Sequence, residues 1–221
     1  MENPLLLSVD TCGPVATIAL GRAIDGEISL LGESSVAGGE LSVSLVQAIS
    51  DLLASSGAEV HDLKGLIAVV GPGSFTGIRI GLAAVKGLAE AAGLPVVTVS
   101  RLALLAHLAK TPTAVLDAHR GQIYCGIYST GQPAREMLLT AGEVNSMGGL
   151  PGPVGVCEEA VAQSLEELQG NPELIRVAAP TAALAMRFAL SQWQSGEFAD
   201  VAALDGYYLR GADAKVSARL G

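Results

Sequence analysis

Leu5-Leu6-Leu7-Ser8-Val9-Asp10-Thr11-Cys12-Gly13-Pro14-Val15-Ala16-Thr17-Ile18-Ala19-Leu20 opens as an aliphatic run, stops at an aspartate, turns at Gly13-Pro14 and resumes as a second run. Apolar runs of this length separated by turn residues predict two antiparallel strands. Working outward, residues 21–26 read as a turn and residues 28–31 as a third strand. After Gly38-Gly39, residues 41–54 have helical periodicity. Leu41, Leu45, Ala48 and Leu52 share a face that Val46, Ile49 and Leu53 widen, with Glu40, Ser44, Gln47 and Asp51 opposite. Residues 66–70 then read as a strand, 74–92 as a helix, 96–99 as a strand and 101–110 as a helix.

The opening pattern returns in the second half. Ala114-Val115-Leu116 ends in Asp117, and strands follow at 122–129 and 136–139. Beyond the Gly/Pro-rich loop at 148–153 come a strand (154–157), a helix (158–168), a strand (175–178) and a helix (181–194). The reading is an α/β protein built from a duplicated βββαβα unit. Its domains are expected at 1–103 and 104–221, with the last segment open to packing back on the first.

Half of the 221 residues are hydrophobic, 16% are charged and 4% are aromatic, so the core is aliphatic and large. The net charge of -9 argues against an independent grip on a phosphate backbone, which needs clustered Lys and Arg. Cys12, Cys125 and Cys157 are far apart and form no CxxC pair, so reduced thiols are expected. Met1-Glu2-Asn3-Pro4 lacks the features of a signal peptide, and the apolar runs are too short to span a bilayer. The expected location is cytoplasmic, away from membranes.

Gly71-Pro72-Gly73-Ser74-Phe75-Thr76-Gly77-Ile78-Arg79-Ile80-Gly81 runs from strand to turn to helix. It lacks the lysine of a Walker loop, and its G-x-G-x-x-x-G spacing misses the dinucleotide fingerprint. Gly71 and Gly73 suit a tight turn, and Ser74 or Thr76 suits a helix cap; an anion at the helix start is the alternative. Gly73, Gly77, Gly81 and Ala84 line one side of the helix. Internal glycines cost about 0.5–1 kcal/mol each relative to alanine, which close approach of another element would offset. Ile78, Leu82, Val85 and Ala89 form a second apolar face, leaving Arg79, Lys86 and Glu90 as a narrow polar stripe. Whether the small stripe faces the helix at 41–54 or a partner chain is open from periodicity alone.

The run Gly71-Pro72-Gly73-Ser74-Phe75-Thr76-Gly77-x-Arg79-x-Gly81 resembles the signature of the TsaB (YeaZ) family. Support comes from Ala84 to Gly87, Pro95-Val96, Val99-Ser100, Asp10-Thr11, Asp117-Ala118-x-Arg120-Gly121-x-Ile123-Tyr124 and Tyr208-Leu209-Arg210. The resemblance implies an actin-like (ASKHA) fold of two ribonuclease-H-like subdomains. It implies a non-catalytic role in forming N6-threonylcarbamoyladenosine at position 37 of tRNA, by binding and activating the paralogue TsaD, with the ATPase TsaE joining the complex. It further implies tRNA contact only through that complex and a homodimer when the partner is absent. The implied interface is Leu41, Leu45, Ala48, Ile49, Leu52, Gly77, Gly81, Ala84, Val85 and Leu88. One departure is Gly39-Glu40-Leu41-Ser42, where the family often has His and Ser at the entry to the first helix.

Actin-like ATPases carry carboxylates at the two strand ends, and Asp10, Thr11 and Asp117 stand as vestigial nucleotide-site positions. Ala118-His119-Arg120 puts bulk where a phosphate hairpin wants glycine. Cys157-Glu158-Glu159 and Ala179-Pro180-Thr181 offer no glycine pair for a base. His61, His107 and His119 form no metal-ligand pair. The expectation is no catalytic residue, no metal and no cofactor of its own, with a nucleotide at the subunit interface left open. The alternatives are a stand-alone actin-like ATPase or kinase, and an M22-type peptidase.

Overall fold

The first hairpin forms as read, but its strands run further. β1 (Leu5–Asp10) pairs antiparallel with β2 (Val15–Ile24), which pairs with β3 (Glu27–Ala37). The turn between β2 and β3 is Asp25-Gly26, both at positive φ, the two-residue turn that matches strand twist. Gly21 therefore lies inside a strand and not in the expected turn. A Cβ there would come 2.9 Å from Met186 Sδ, so glycine admits a side chain packed on the sheet. The structure is a computed structural model that describes residues 3–167 and 172–209. Arg210, the end of the Tyr208-Leu209-Arg210 match, and Leu168, the expected end of a helix, lie outside the described residues.

After β3 come α1 (Leu41–Ser55), β4 (Leu63–Gly71), α2 (Phe75–Ala92) and β5 (Val96–Ser100). The sheet order is β3-β2-β1-β4-β5, with β4 parallel to both β1 and β5. α1 and α2 cover one face. Gly32, in register with Leu20, leaves room for Leu52 of α1. The opposite face carries Gly21, Leu6 and Gly65 in one row, and a Cβ on Gly65 would run into Trp193. That face is covered by α6 (Ala182–Phe188) and α7 (Leu190–Ser195). β1 is buried along its whole length because both faces are covered, as parallel strands require.

The second sheet has the same topology. α3 (Arg101–Ala109) leads into β6 (Thr113–Asp117), β7 (Gln122–Ile127), β8 (Arg135–Thr140), α4 (Ala141–Ser146), β9 (Val154–Val156), α5 (Glu159–Glu166) and β10 (Leu174–Arg176). The order is β10-β9-β6-β7-β8, which matches the first sheet strand for strand. One face packs against α4 and α5 through Val115, Cys125, Val144, Val156, Val161 and Leu165. Burial pushes the Cys125 thiol up to about 12. The other face meets α3, where Gly155 lets Ala109 approach.

The units divide differently from 1–103 and 104–221. One comprises the residues up to Ser100 with Thr181–Tyr207; the other comprises Arg101–Pro180 with the described residues from Tyr208. The physical reason is face coverage. The first sheet takes its second cover from α6 and α7, and the second sheet takes its own from α3. The helix expected at 181–194 is two short helices meeting at Ala189. α4, absent from the sequence reading, is closed by a reciprocal cap. Thr140 Oγ1 accepts from Glu143 N, while the Glu143 carboxylate accepts the Thr140 N–H at 2.7 Å, which holds its pKa below the usual range. Among the described residues no helix is long and apolar enough to cross a membrane.

Candidate functional site

The glycine-rich entry to α2 is built against the β1–β2 turn of its own unit. Ser74 Oγ accepts from Gly77 N at 3.2 Å and caps the helix, while Ser74 N donates to Cys12 O at 2.8 Å. Thr76 is exposed and does not cap. Gly71 has a φ of 121°, and a Cβ there would come 3.0 Å from both Ile78 Cδ1 and Tyr207 O. Added Cβ atoms would overlap Cys12 O at Gly73, Thr11 O at Gly77 and Thr11 Oγ1 at Gly81. The close approach that these glycines permit is intramolecular, to a turn and not to another helix. This corrects the expectation that Gly77 and Gly81 are a partner surface.

The same packing engages several polar groups of that turn. Asp10 is only 3% exposed and accepts from Cys12 N at 2.9 Å; Cys12 Sγ donates to Val69 O at 3.4 Å. Thr11 is buried as well. The strand-end carboxylate and the neighbouring N–H groups of Cys12 and Ser74 are thus engaged inside the unit. In the second unit, Asp117 is half-buried: its Oδ1 accepts from His119 N at 2.6 Å and its Oδ2 lies 2.9 Å from His119 Nδ1. Asp117 N donates to Glu158 Oε2, and His119 and Arg120 both take positive φ to make the turn. His61 lies beside Glu59 and Asp62 on the surface. Among the described residues no group of three His, Cys, Asp or Glu is arranged to hold a metal.

The outward sides of α1 and α2 carry a different kind of surface. Val43 is 81% exposed and Val46 69% exposed on α1. On α2, Ala83, Gly87 and Ala91 face solvent, flanked by half-buried Ile80, Ala84 and Leu88. Gly87 sits mid-helix with nothing within 4 Å of an added Cβ, so no contact within the described structure offsets its cost of about 1 kcal/mol. At the start of α2, Phe75 is 52% exposed, and the Arg79 guanidinium stacks 3.8 Å above its ring.

Of the ten expected interface positions, Leu41, Leu45, Ile49, Leu52, Gly77, Gly81 and Val85 are buried within the chain, whereas Ala48, Ala84 and Leu88 reach its surface. Val43, Ala83, Gly87 and Phe75 were not singled out for the surface. The available signal was apolar residues falling outside the core-facing arc of each helix.

A sequence model of the family described as TsaD, tRNA N6-adenosine threonylcarbamoyltransferase, matches residues 35–203. The chain belongs to this family. Within it the likeness is to the TsaB (YeaZ) members. The chain is 33% identical over 130 residues to the tRNA threonylcarbamoyladenosine biosynthesis protein TsaB of Haemophilus influenzae, covering 56% of this chain and 53% of that protein. The chain spans about half the length of the curated TsaB relatives it matches. Among solved structures, YeaZ from Pseudomonas aeruginosa superposes with a TM-score of 0.72 at 25% identity, over 93% of this chain and 100% of that one. The activator of 2-hydroxyisocaproyl-CoA dehydratase from Clostridium difficile, solved with bound ADPNP, superposes at 0.53 with 10% identity, over 87% of this chain and 97% of its own. That likeness concerns the fold alone, and with the twice-used strand order it makes the architecture actin-like, two ribonuclease-H-like sheets in one chain.

Proposed function

We propose that this TsaB-type chain is a non-catalytic, cytoplasmic subunit of a complex that installs N6-threonylcarbamoyladenosine on tRNA. It works by docking and activating a TsaD-type transferase through the outward face of α1 and α2. The observation that carries the reading is the pairing of exposed Val43 and Val46 with a mid-helix Gly87 that nothing touches. Large apolar residues left in water and a glycine with no intramolecular reason are both features of a surface that another element covers closely. The match of the chain itself to the transferase family supports a partner of related fold. In the absence of the partner the same face pairs two copies, and a TsaE-type ATPase joins the heterodimer.

The turn at Asp10 supports the non-catalytic part. An ATPase of this architecture needs its strand-end carboxylate and turn N–H groups available to metal and phosphate. Here Asp10 is buried and holds Cys12 N, and Ser74 N is given to Cys12 O. The net charge of -9 supports contact with tRNA through other members of the complex.

Reconstitution of tRNA modification from purified partners, with and without this chain, tests the reading. Modification is expected only when the chain is present. Full modification without it overturns the proposal. So does turnover of Mg-ATP by the isolated chain that is lost in Asp10→Ala.

A further inference from the structure

Residues 199–207 run from the start of β5 to the end of β4 as a strap with little regular structure. It is pinned at both ends by backbone hydrogen bonds, Ala199 N to Val96 O and Tyr207 N to Val70 O, each 2.8 Å. Between the pins it borders an open groove of about 300 Å³, lined by Val70, Thr98, Asp200, Leu204 and Asp205. Its own turns are closed by short-range bonds in which Ala202 N donates to Asp200 Oδ1 and Gly206 N donates to Asp205 Oδ1. A long-range side-chain tie to its middle comes from Lys86 of α2, whose Nζ donates to Leu204 O at 3.1 Å and Ala202 O at 3.4 Å. Glu90 lies one helical turn on, the usual partner for a surface lysine, yet the ammonium goes to the two carbonyls.

Lys86 immediately precedes Gly87, so it flanks the stripe of Ala83, Gly87 and Ala91 that the proposed partner covers. We propose that Lys86 is a latch that couples docking on α2 to immobilisation of the 199–207 strap. The coupling rests on the docking reading above. A charged donor held at a half-exposed edge competes with water for its carbonyls. A partner seated beside Gly87 excludes that water, and the same two hydrogen bonds then hold the strap more firmly. Ala202, Ala203 and Asp205 of the strap are exposed, and a segment with so much exposed backbone is the kind of element whose opening is governed by a few bonds.

Hydrogen exchange of the Ala199 and Tyr207 amides, measured with the purified chain alone and with a purified TsaD-type transferase, tests the latch. In the chain alone, Lys86→Met is expected to speed exchange at these amides about tenfold, since hydrogen bonds from a charged group are the stronger ones. Lys86→Arg keeps the charge and is expected to retain most of the protection. The amides of β4 report that each variant is folded. On adding the transferase, the strap of the wild-type chain is expected to slow by a similar factor and that of Lys86→Met to respond little. Unchanged exchange in Lys86→Met, or a complex that forms without slowing the strap, overturns the latch and leaves the docking reading standing. Absence of any complex with the wild-type chain overturns the docking reading and the coupling together.

Discussion

The two sheets of this chain are built to one plan, yet their outer helices differ in length and in what they present. α1 follows β3 as α4 follows β8, and α2 joins β4 to β5 as α5 joins β9 to β10. In the first unit these helices are 15 and 18 residues long; in the second they are 6 and 8. The exposed side of α5 offers Glu159, Gln163, Ser164 and Glu166, which water solvates well. The exposed sides of α1 and α2 offer Val43, Val46, Ala83 and Gly87. The second unit's helices therefore only close a core, while the first unit's close a core and keep a second apolar side. The strand-end aspartates differ in the same sense: α2 is set down on the turn after Asp10, whereas the turn after Asp117 stays open around His119.

The largest test of that contrast is Gly81→Leu. The side chain would have to enter the space of Thr11, so a loss of upwards of about 3 kcal/mol is expected, read by thermal or urea unfolding. A folded Gly81→Leu protein that merely lost its partner would return the glycine stripe to the interface. In the second unit, Leu165→Ala removes a fully buried side chain of α5 and is expected to cost roughly 3 kcal/mol, with partner binding unchanged below the unfolding transition.

The alkaline limb of stability probes the same second-unit core. The Cys125 thiol sits at about 12 when folded, above its ordinary value of 9.0, so the folded chain holds a proton that the unfolded chain releases first. Stability from this group is complete below pH 9 and is lost as pH rises toward 12. The decline of melting temperature in this range is expected to be shallower in Cys125→Ala. The smallest effect is a gain. Gly87→Ala has open space and ordinary helical geometry, so the isolated chain is expected to be stabilised by about 0.5–1 kcal/mol, read as a raised unfolding midpoint.

Much of the architecture was legible in the order of strands, because Asp10 and Asp117 each end an apolar run that is followed by a turn and a second run. Which sheet a helix covers was not. α3 and the pair α6–α7 are amphipathic segments of similar type, and only the need to bury the Leu6–Gly21–Gly65 row assigns residues 181–195 to the first unit. The helix α4 was readable from Thr140 and Glu143 three residues apart, but its six residues give too little periodicity to stand out. At the candidate site, periodicity located the small face of α2 and could not say what met it. Gly77 and Gly81 turned out to serve Thr11, and the glycine without an internal neighbour was Gly87.

The central claim, that the first unit's outer helices are the docking face, is tested most directly by measuring binding of a purified TsaD-type transferase to Val46→Asp. Val46 is largely exposed and contributes little to the core, so the variant is expected to fold with an unchanged melting temperature. The expected result is a loss of affinity of at least about tenfold, from a charge desolvated at an apolar contact. Wild-type affinity in this variant would contradict the assignment of the docking face.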